Sequence, residues 1–334
     1  MRLTMVDEVL LIREEEVKDL LSMQETIETV EETFRVKGPG KTQMPPKTYL
    51  TFDKYQGDLR VMPSYLETLD SAGVKVVNVH PHNPIRYGMP TITGLIILVN
   101  PKNGAVTSIM DGTYITGMRT GAAAAVATKY LARKNSKILG LVGAGVQARM
   151  QLLAISKVLK LEEVRVWSLP ESTMDAFISE AEKIYDLKFH RSLGCEECVK
   201  EADVISTVTP STAPIVKCAA IAPGTHINAM GADAPGKEEL DPKILMKAKV
   251  VVDDLTQARH SGEINVPIKK RILRVKDIYG ELSEIIIGRK EGRASEEEVT
   301  VFDSTGLSLL DVSTATLVYN KARAKGIGAW LGIR

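Results

Sequence analysis

The chain has 334 residues, and at roughly 100–200 residues per domain such a length predicts two domains. A hydrophobic share of 44% and a charged share of 25% are typical of globular proteins and exclude a disordered or fibrous chain. Lys and Arg number 43 against 42 Asp and Glu, so the net charge is +1. This balance argues against a protein built to coat nucleic acid or an anionic membrane.

The sequence carries no pattern typical of export, membrane insertion or metal binding. The apolar run at residues 9–12 is too short for a signal peptide, and the run at residues 95–99 is far below the roughly 20 apolar residues that span a bilayer. Three cysteines are too few for a disulfide framework, and the pair Cys195 and Cys198 lacks the second ligand pair that zinc requires. We expect a cytoplasmic protein without a metal, with these two cysteines on an ordinary helix.

The first third of the chain predicts a sheet with few helices. Residues 9–12 resemble a short strand, and a capping box at Ser22 opens a helix that ends at Gly38. Strand-like runs separated by Gly and Pro follow at residues 48–52, 59–62, 74–79, 94–99 and 105–110. Strands in succession without helices between them favour an antiparallel or mixed sheet.

From about residue 117 the pattern changes. An Ala-rich helix at residues 121–131 precedes an alternation of apolar strands and helices. The strands are expected at residues 138–142, 164–167, 204–208, 226–230 and 250–253, and the helices at residues 147–159 and 171–184. This alternation predicts a parallel sheet covered on both faces. A strand at residues 300–302 and a helix at residues 307–324 follow, and the pattern leaves the place of that helix open.

A glycine-rich turn joins the first of these strands to its helix. Gly143 permits a tight turn, Gly145 lets the backbone approach a pyrophosphate, and Ala148 allows close packing of helix on strand. The N-terminus of the helix offers N–H groups to the phosphates. The turn therefore predicts a nicotinamide dinucleotide. Ser168 stands at the end of the next strand, where a carboxylate would select NAD, so the choice between NAD and NADP stays open.

Four cations in the first third are candidates for a substrate site. Lys75 interrupts an apolar strand, so it either faces a cleft with a lowered pKa or lies on an edge strand facing solvent. Arg119 either binds a carboxylate or phosphate or forms a salt bridge between domains. Lys47 and Arg60 either belong to the same substrate site or are ordinary surface charges.

Acidic residues follow several predicted strands. Asp233 stands in a loop of the kind that builds a binding crevice, where it binds a substrate ammonium or caps a helix. Asp253 and Asp254 are expected to cap a helix. Asp303 or Ser304 is expected to cap the C-terminal helix.

Seven short runs follow one another along nearly the whole chain, at residues 44–47, 57–63, 72–78, 119–123, 143–148, 231–233 and 303–306. In this order they resemble the ornithine cyclodeaminase/μ-crystallin family, and within it the archaeal alanine dehydrogenases. The resemblance implies an α/β fold with a Rossmann dinucleotide-binding domain and a second α/β domain for substrate binding and dimerisation. The C-terminal helix is expected to return to that second domain. We accordingly assign residues 1–116 and 303–334 to the second domain and residues 117–302 to the Rossmann domain.

The resemblance also implies roles for single residues. Cations at the positions of Lys47, Lys75 and Arg119 hold the substrate carboxylate, and Arg60 is placed in the same site. Lys75 is also the expected proton donor or acceptor, and the carboxylate of Asp233 is expected to face the substrate amine or the attacking nucleophile near the nicotinamide. The residues expected to bind the cofactor are Thr120, Gly143, Gly145, Val146, Gln147, Ser168, Thr207, Asp233 and Ser304.

Two positions depart from the family pattern. Ornithine cyclodeaminases carry a Glu where this chain has Arg60, and an Arg there would repel the side-chain ammonium of ornithine. Ser168 stands where relatives that use NAD commonly have Asp, which leaves the cofactor as NAD or NADP.

The function implied by the resemblance is an NAD(P)-dependent amino-acid dehydrogenase, with L-alanine, pyruvate and ammonia as reactants and a homodimer as the assembly. The first alternative is a reductase of cyclic imines such as pyrroline- or piperideine-2-carboxylate. Ornithine cyclodeaminase and a non-enzymatic binding protein like the μ-crystallins come next. No nucleic acid or membrane partner is expected, only a small amino or keto acid.

Overall fold

Strands fill the first third of the chain, as its apolar runs punctuated by Gly and Pro predict. The computed structural model describes residues 8–332. The strands here are β1 (Glu8–Ile12), β2 (Thr42–Gln43), β3 (Thr48–Phe52), β4 (Gly57–Leu66), β5 (Ser71–Val79), β6 (Ile92–Val99) and β7 (Val106–Asp111). The helices are α1 (Glu14–Leu20), α2 (Met23–Lys37), α3 (Asn83–Tyr87) and α4 (Thr113–Leu131). Ser22 caps α2 as predicted, because its hydroxyl accepts a hydrogen bond from the backbone of Glu25.

Strands and helices alternate in the middle of the chain. The strands are β8 (Ile138–Val142), β9 (Glu163–Trp167), β10 (Lys188–Arg191), β11 (Val204–Thr207), β12 (Thr212–Val216), β13 (His226–Ala229), β14 (Glu238–Leu240), β15 (Lys249–Val252), β16 (Gly280–Glu281) and β17 (Thr300–Asp303). The helices are α5 (Val146–Ile155), α6 (Glu171–Ala181), α7 (Cys195–Val199), α8 (Pro242–Lys247), α9 (Leu255–Ser261), α10 (Asn265–Lys269) and α11 (Leu282–Ile286). The described chain ends with α12 (Ser308–Lys325) and β18 (Ala329–Gly332).

The chain divides into two compact units, Met1–Arg119 with Leu307–Arg334 and Thr120–Gly306. The divisions fall inside α4 and just before α12, a few residues later than the boundaries assigned from the sequence. The Ala-rich helix also begins earlier than predicted, at Thr113 rather than at Gly121.

The first unit is built on one mixed sheet. Its strand order is β18-β1-β7-β6-β5-β4-β2, with β3 also paired to β4, and β1 with β7 is the parallel pair. Residues alternate between the faces, so that Arg60, Met62 and Leu66 of β4 are buried while their neighbours are half-exposed. The helices α12 and α2 pack together, and α12 covers β4 and β5.

The second unit has a parallel sheet of order β10-β9-β8-β11-β13-β17-β15-β16. Chain order reverses at β8, which lies between β9 and β11, and this is the switch point at which doubly wound sheets bind ligands. Adjacent residues of β11 serve two separate core clusters, since Val204 packs in one and Ile205 in the other. Both faces are therefore covered, and the predicted α/β fold with a Rossmann sheet is confirmed.

Candidate functional site

Lys75 lies on a central strand of the first sheet, with only 1% of its surface exposed. It projects from the buried face of β5, opposite Met62 on β4 and Ile96 on β6. Its Nζ contacts Asp311 Oδ1 at 2.7 Å and donates to Thr116 Oγ1 at 3.2 Å. The alternative of an edge-strand or solvent-facing lysine is therefore wrong.

Arg119 meets the same carboxylate. It lies on α4 with 6% of its surface exposed, and its Nε donates to Asp311 Oδ1 at 2.9 Å. Both partners belong to the first unit, so the predicted alternative of a salt bridge between domains does not apply to this contact. The sequence did not single out Asp311, although it carried a signal: a lone acid inside the apolar run at residues 307–312 requires a buried partner.

Burial lowers the pKa of Lys75 to about 7 because a charged ammonium loses its hydration there. The negative charge of Asp311 opposes that shift, while the charges of Arg119 and Lys47 reinforce it. A lysine with such a pKa exchanges protons readily near neutral pH.

The other two predicted cations, Lys47 and Arg60, belong to the same unit as the cluster of Lys75, Arg119 and Asp311. Lys47 precedes β3, and its charge acts on Lys75. Arg60 is 5% exposed, which excludes a plain surface charge, and it lies opposite Val77 on the face that carries Lys75. Arg60 is bound by Asp58 through Nε at 2.8 Å and Nη2 at 3.0 Å.

The glycine turn of the second unit has the geometry of a phosphate cradle. Gly143 has φ +111°, and a Cβ there would come within 3.0 Å of Val208, so the position requires glycine. A Cβ on Gly145 would meet open space, and Gly145 precedes α5 without a side chain that caps the helix. The backbone N–H groups at the start of α5 are therefore available to an anion.

A cavity of about 550 Å³ opens beside this turn. It is lined by Gly143, Ala144, Gly145, Trp167, Ser168, Leu169, Thr173, Val208, Thr209, Pro210, Ser211, Thr212 and Ile215. Three of the predicted cofactor residues line it: Gly143, Gly145 and Ser168. Thr120, Val146, Gln147, Thr207, Asp233 and Ser304 are not among the lining residues. The turn, the open helix end and the cavity fit a dinucleotide.

Glu239 fixes the loops that form one wall of this cavity. It is fully buried and accepts from the Thr207 hydroxyl at 2.6 Å, from the backbone and hydroxyl of Thr209 at 2.7 Å each, and from the backbone of Gly231 at 3.0 Å. Thr207, predicted to bind the cofactor, thus binds Glu239. No sequence pattern marked Glu239, because its partners come from two other strands.

The acidic residues at the strand ends have several roles. Asp233 Oδ1 accepts from Lys237 Nζ at 2.5 Å. Asp254 caps α9 as predicted, but Asp253 instead binds the loop after β17, where Ser304 Oγ donates to it at 3.1 Å.

The predicted capping of the C-terminal helix is wrong, because Leu307 is the residue that precedes α12. Asp303 instead accepts from the backbone N–H groups of Glu263 and Ile264 at 2.9 and 3.1 Å. The side chain of Asp303 therefore holds the backbone at Glu263 and Ile264, and it does not cap α12.

The cysteine pair lies on α7, as predicted. Burial raises the pKa of Cys195 to about 12, and it raises that of Cys198 as well, so both thiols stay protonated and unreactive. Within residues 8–332, no group of three His, Cys, Asp or Glu side chains could hold a metal ion. In the same part of the chain, no helix is both long and apolar enough to cross a membrane.

Comparison with known proteins assigns the chain to one family. Residues 7–326 match the model of the ornithine cyclodeaminase/μ-crystallin family. The alanine dehydrogenase of Archaeoglobus fulgidus is 48% identical over 96% of this chain and 98% of its own. A solved archaeal alanine dehydrogenase dimer with bound NAD superposes with a TM-score of 0.93 at 47% identity, covering 98% of this chain and all of that one.

A second solved relative has another substrate. The Δ1-pyrroline-2-carboxylate reductase of Thermococcus litoralis, in complex with NADH and L-proline, also gives a TM-score of 0.93, at 39% identity over 96% of this chain and 99% of its own. The family resemblance read from the seven short runs is thereby confirmed. The chain belongs to the ornithine cyclodeaminase/μ-crystallin family.

Proposed function

We propose that this protein is an NAD-dependent amino-acid dehydrogenase that interconverts L-alanine and water with pyruvate and ammonium. The observation that carries the choice of alanine is the 48% identity, over 96% of the chain, to the Archaeoglobus fulgidus enzyme. The chemistry is supported by two features, the buried cluster of Lys75, Arg119 and Asp311 and the dinucleotide cavity beside Gly143.

The cofactor is held in the second unit. The turn at Gly143 and Gly145 and the start of α5 bind the pyrophosphate, and Ser168 binds the adenosine ribose. Among the described residues that line the cavity, none is Lys or Arg. A 2′-phosphate would lack a counter-ion there, so NAD is preferred to NADP. When bound, NAD supplies the hydride acceptor for oxidation and, in its reduced form, the donor for reduction.

The substrate is held through its carboxylate. Arg119 uses Nε to contact Asp311, and the edge formed by its two terminal nitrogens suits a bidentate carboxylate. Lys47 adds a second positive charge, and Arg60 belongs to the same face of the sheet. Fixing the carboxylate orients the Cα–H bond for hydride transfer.

Lys75 exchanges the proton that the reaction requires. In oxidation it accepts a proton from the substrate amine or from the hydroxyl formed when water adds to the imine, and in reduction it returns that proton. Asp233, whose carboxylate pairs with Lys237 at 2.5 Å, is assigned from the family resemblance the role of stabilising the positive charge of the amine or imine. Oxidation of alanine thereby releases a hydride, a proton and, after hydrolysis, ammonium.

The second candidate is reduction of a cyclic imino acid. The Thermococcus litoralis reductase, whose TM-score equals that of the alanine dehydrogenase, favours it. Ornithine cyclodeamination ranks lower because of Arg60. Since Asp58 neutralises Arg60, the repulsion of an ornithine ammonium is weaker than the sequence suggests.

The active form is proposed to be a homodimer in the cytoplasm. The face of the first sheet opposite Lys75 exposes apolar side chains, among them Leu50 and Leu95, both more than half exposed. A second copy would cover this face. All three cysteines are free thiols, consistent with a reducing compartment.

The test is a substrate panel with purified protein: pyruvate with ammonium, Δ1-pyrroline-2-carboxylate, and ornithine, each with NADH or NADPH (the oxidised forms for ornithine). We expect the fastest turnover with pyruvate, ammonium and NADH. Lys75→Met should lower it by roughly 100-fold or more, whereas the exposed control Lys102→Met should not. Faster reduction of the cyclic imine would favour the second candidate, and turnover of ornithine alone would refute both.

A further inference from the structure

The cluster around Lys75 contains a carboxylate that none of the steps above uses. Asp311 lies in the first turn of α12 and is fully buried. We propose that Asp311 is a positioning residue: through one carboxylate oxygen it orients Lys75 and Arg119 for the substrate, and it supplies the negative charge that pairs with the ammonium of Lys75. The inference rests on the proposed function, because it assigns the means by which Lys75 performs its step.

The geometry first supports positioning. One oxygen, Oδ1, contacts Lys75 Nζ at 2.7 Å and Arg119 Nε at 2.9 Å, so a single atom fixes both cations. The ammonium of Lys75 also donates to Thr116, so Asp311 and Thr116 together take two of its three N–H bonds. Asp311 on α12 thus fixes the side chains of Lys75 on β5 and Arg119 on α4 relative to each other.

The charges then support control of the proton. Among the described residues, the charges with the largest effect on Lys75 are those of Asp311 on α12, Arg119 on α4 and Lys47 before β3. Asp311 supplies the only negative charge among these three. Without it, burial beside two cations would leave Lys75 neutral, able to accept a proton but unable to donate one for reductive amination.

The second oxygen of Asp311 indicates that the group is not there for stability alone. Within the described residues, Oδ2 is buried and has no hydrogen-bond partner. A carboxylate oxygen that is buried without a partner destabilises the fold. Such a group requires an explanation, and a role beside Lys75 and Arg119 supplies one.

The main test is Asp311→Asn in the full-length protein, with Thr314→Val as the matched control. Thr314 is buried on the same helix and its hydroxyl also lacks a partner, but it is not in the cluster. We expect Asp311→Asn to shift the part of the kcat/KM profile for pyruvate that reports Lys75 to lower pH, by about one pH unit or more. KM for pyruvate should also rise, whereas Thr314→Val should change neither.

A second readout needs no substrate. The urea midpoints of the wild type and of Lys75→Met are measured across a range of pH. The difference between them changes at the pH where Lys75 loses its proton in the folded protein. Asp311→Asn should move that change to lower pH. The proposal would be overturned if, in Asp311→Asn, both the pH profile of kcat/KM and the pH at which the urea midpoints change stayed as in the wild type.

Failure of the two proposals can be told apart. If the wild type turns over no substrate of the panel, the proposed function fails, and the urea measurement still decides the role of Asp311. If Asp311→Asn does not fold, Arg119→Met replaces it. That change leaves Asp311 to Lys75 alone and should move the transition to higher pH, and no upward movement would refute the inference.

Discussion

Replacing Glu239 by Gln tests how the cavity wall is held. The backbone N–H of Thr209 donates to Oε1 of Glu239, and the backbone N–H of Gly231 donates to Oε2. A carboxylate accepts from both, but an amide has one oxygen and one NH₂ group. Whichever way the amide turns, one backbone donor faces another donor. The hydroxyl of Thr207 can rotate and adapt, whereas the backbone groups cannot.

The size of the effect follows from this count. One hydrogen bond to a buried charged group is worth about 1.5–3 kcal/mol, and the donor left behind is desolvated without a partner. We expect Glu239→Gln to lower the free energy of unfolding by about 2–3 kcal/mol. Because the loop at Thr209 lines the cavity, the Kd for NADH should rise by about tenfold, which corresponds to 1.4 kcal/mol.

Urea unfolding and titration of NADH fluorescence measure the two quantities. The control is Glu162→Gln in the same unit, where an exposed carboxylate forms a 2.6 Å ion pair with an exposed lysine, Lys137. Such a pair contributes little, so the control should stay close to wild type. Equal stability and equal NADH affinity in Glu239→Gln and wild type would refute the role assigned to this carboxylate.

Three further predictions concern the charge of Lys75, the cofactor and the dimer. The pKa of Lys75 is about 7 when folded against an ordinary 10.5, so the unfolded chain holds the proton more tightly. The stability of wild type relative to Lys75→Met should therefore be lowest below pH 7 and rise up to pH 10.5, by at most about 1.4 kcal/mol per pH unit; parallel urea midpoints across that range would contradict it. Ser168→Asp should raise the preference for NADH over NADPH in kcat/KM by about tenfold, since a carboxylate repels a 2′-phosphate, and an unchanged ratio would place the ribose elsewhere. Leu95→Glu should convert dimers into monomers of 36.5 kDa in light scattering, and a persistent dimer would move the interface to another face.

Local patterns predicted much of the fold and part of the site. The turn at Gly143 was recognisable because its strand, its glycines and its helix are adjacent in the sequence. Lys75 stood out because a charge in an apolar strand requires a special environment. Asp311 obeys the same rule on α12, yet a helix pattern tolerates one polar residue at many positions, so its partner could not be deduced.

Contacts between distant segments could not be predicted in this way. Glu239 has its partners at Thr207, Thr209 and Gly231, and only the parallel sheet brings these loops together. The edge strand β18 was missed because its pairing with β1 at the start of the described chain, rather than its own four residues, defines it.

The position of Asp311 also bears on protein synthesis. A ribosome makes about 5–20 residues per second, so Lys75 and Arg119 emerge on the order of tens of seconds before the helix that carries their counter-ion. During that time the nascent sheet lacks α12, which covers β4 and β5 in the finished protein. The second unit, by contrast, is continuous in sequence and can fold first. The cluster of Lys75, Arg119 and Asp311 is therefore completed only after α12 has been made, and a chain interrupted before α12 would contain the second unit but not the carboxylate that pairs with Lys75.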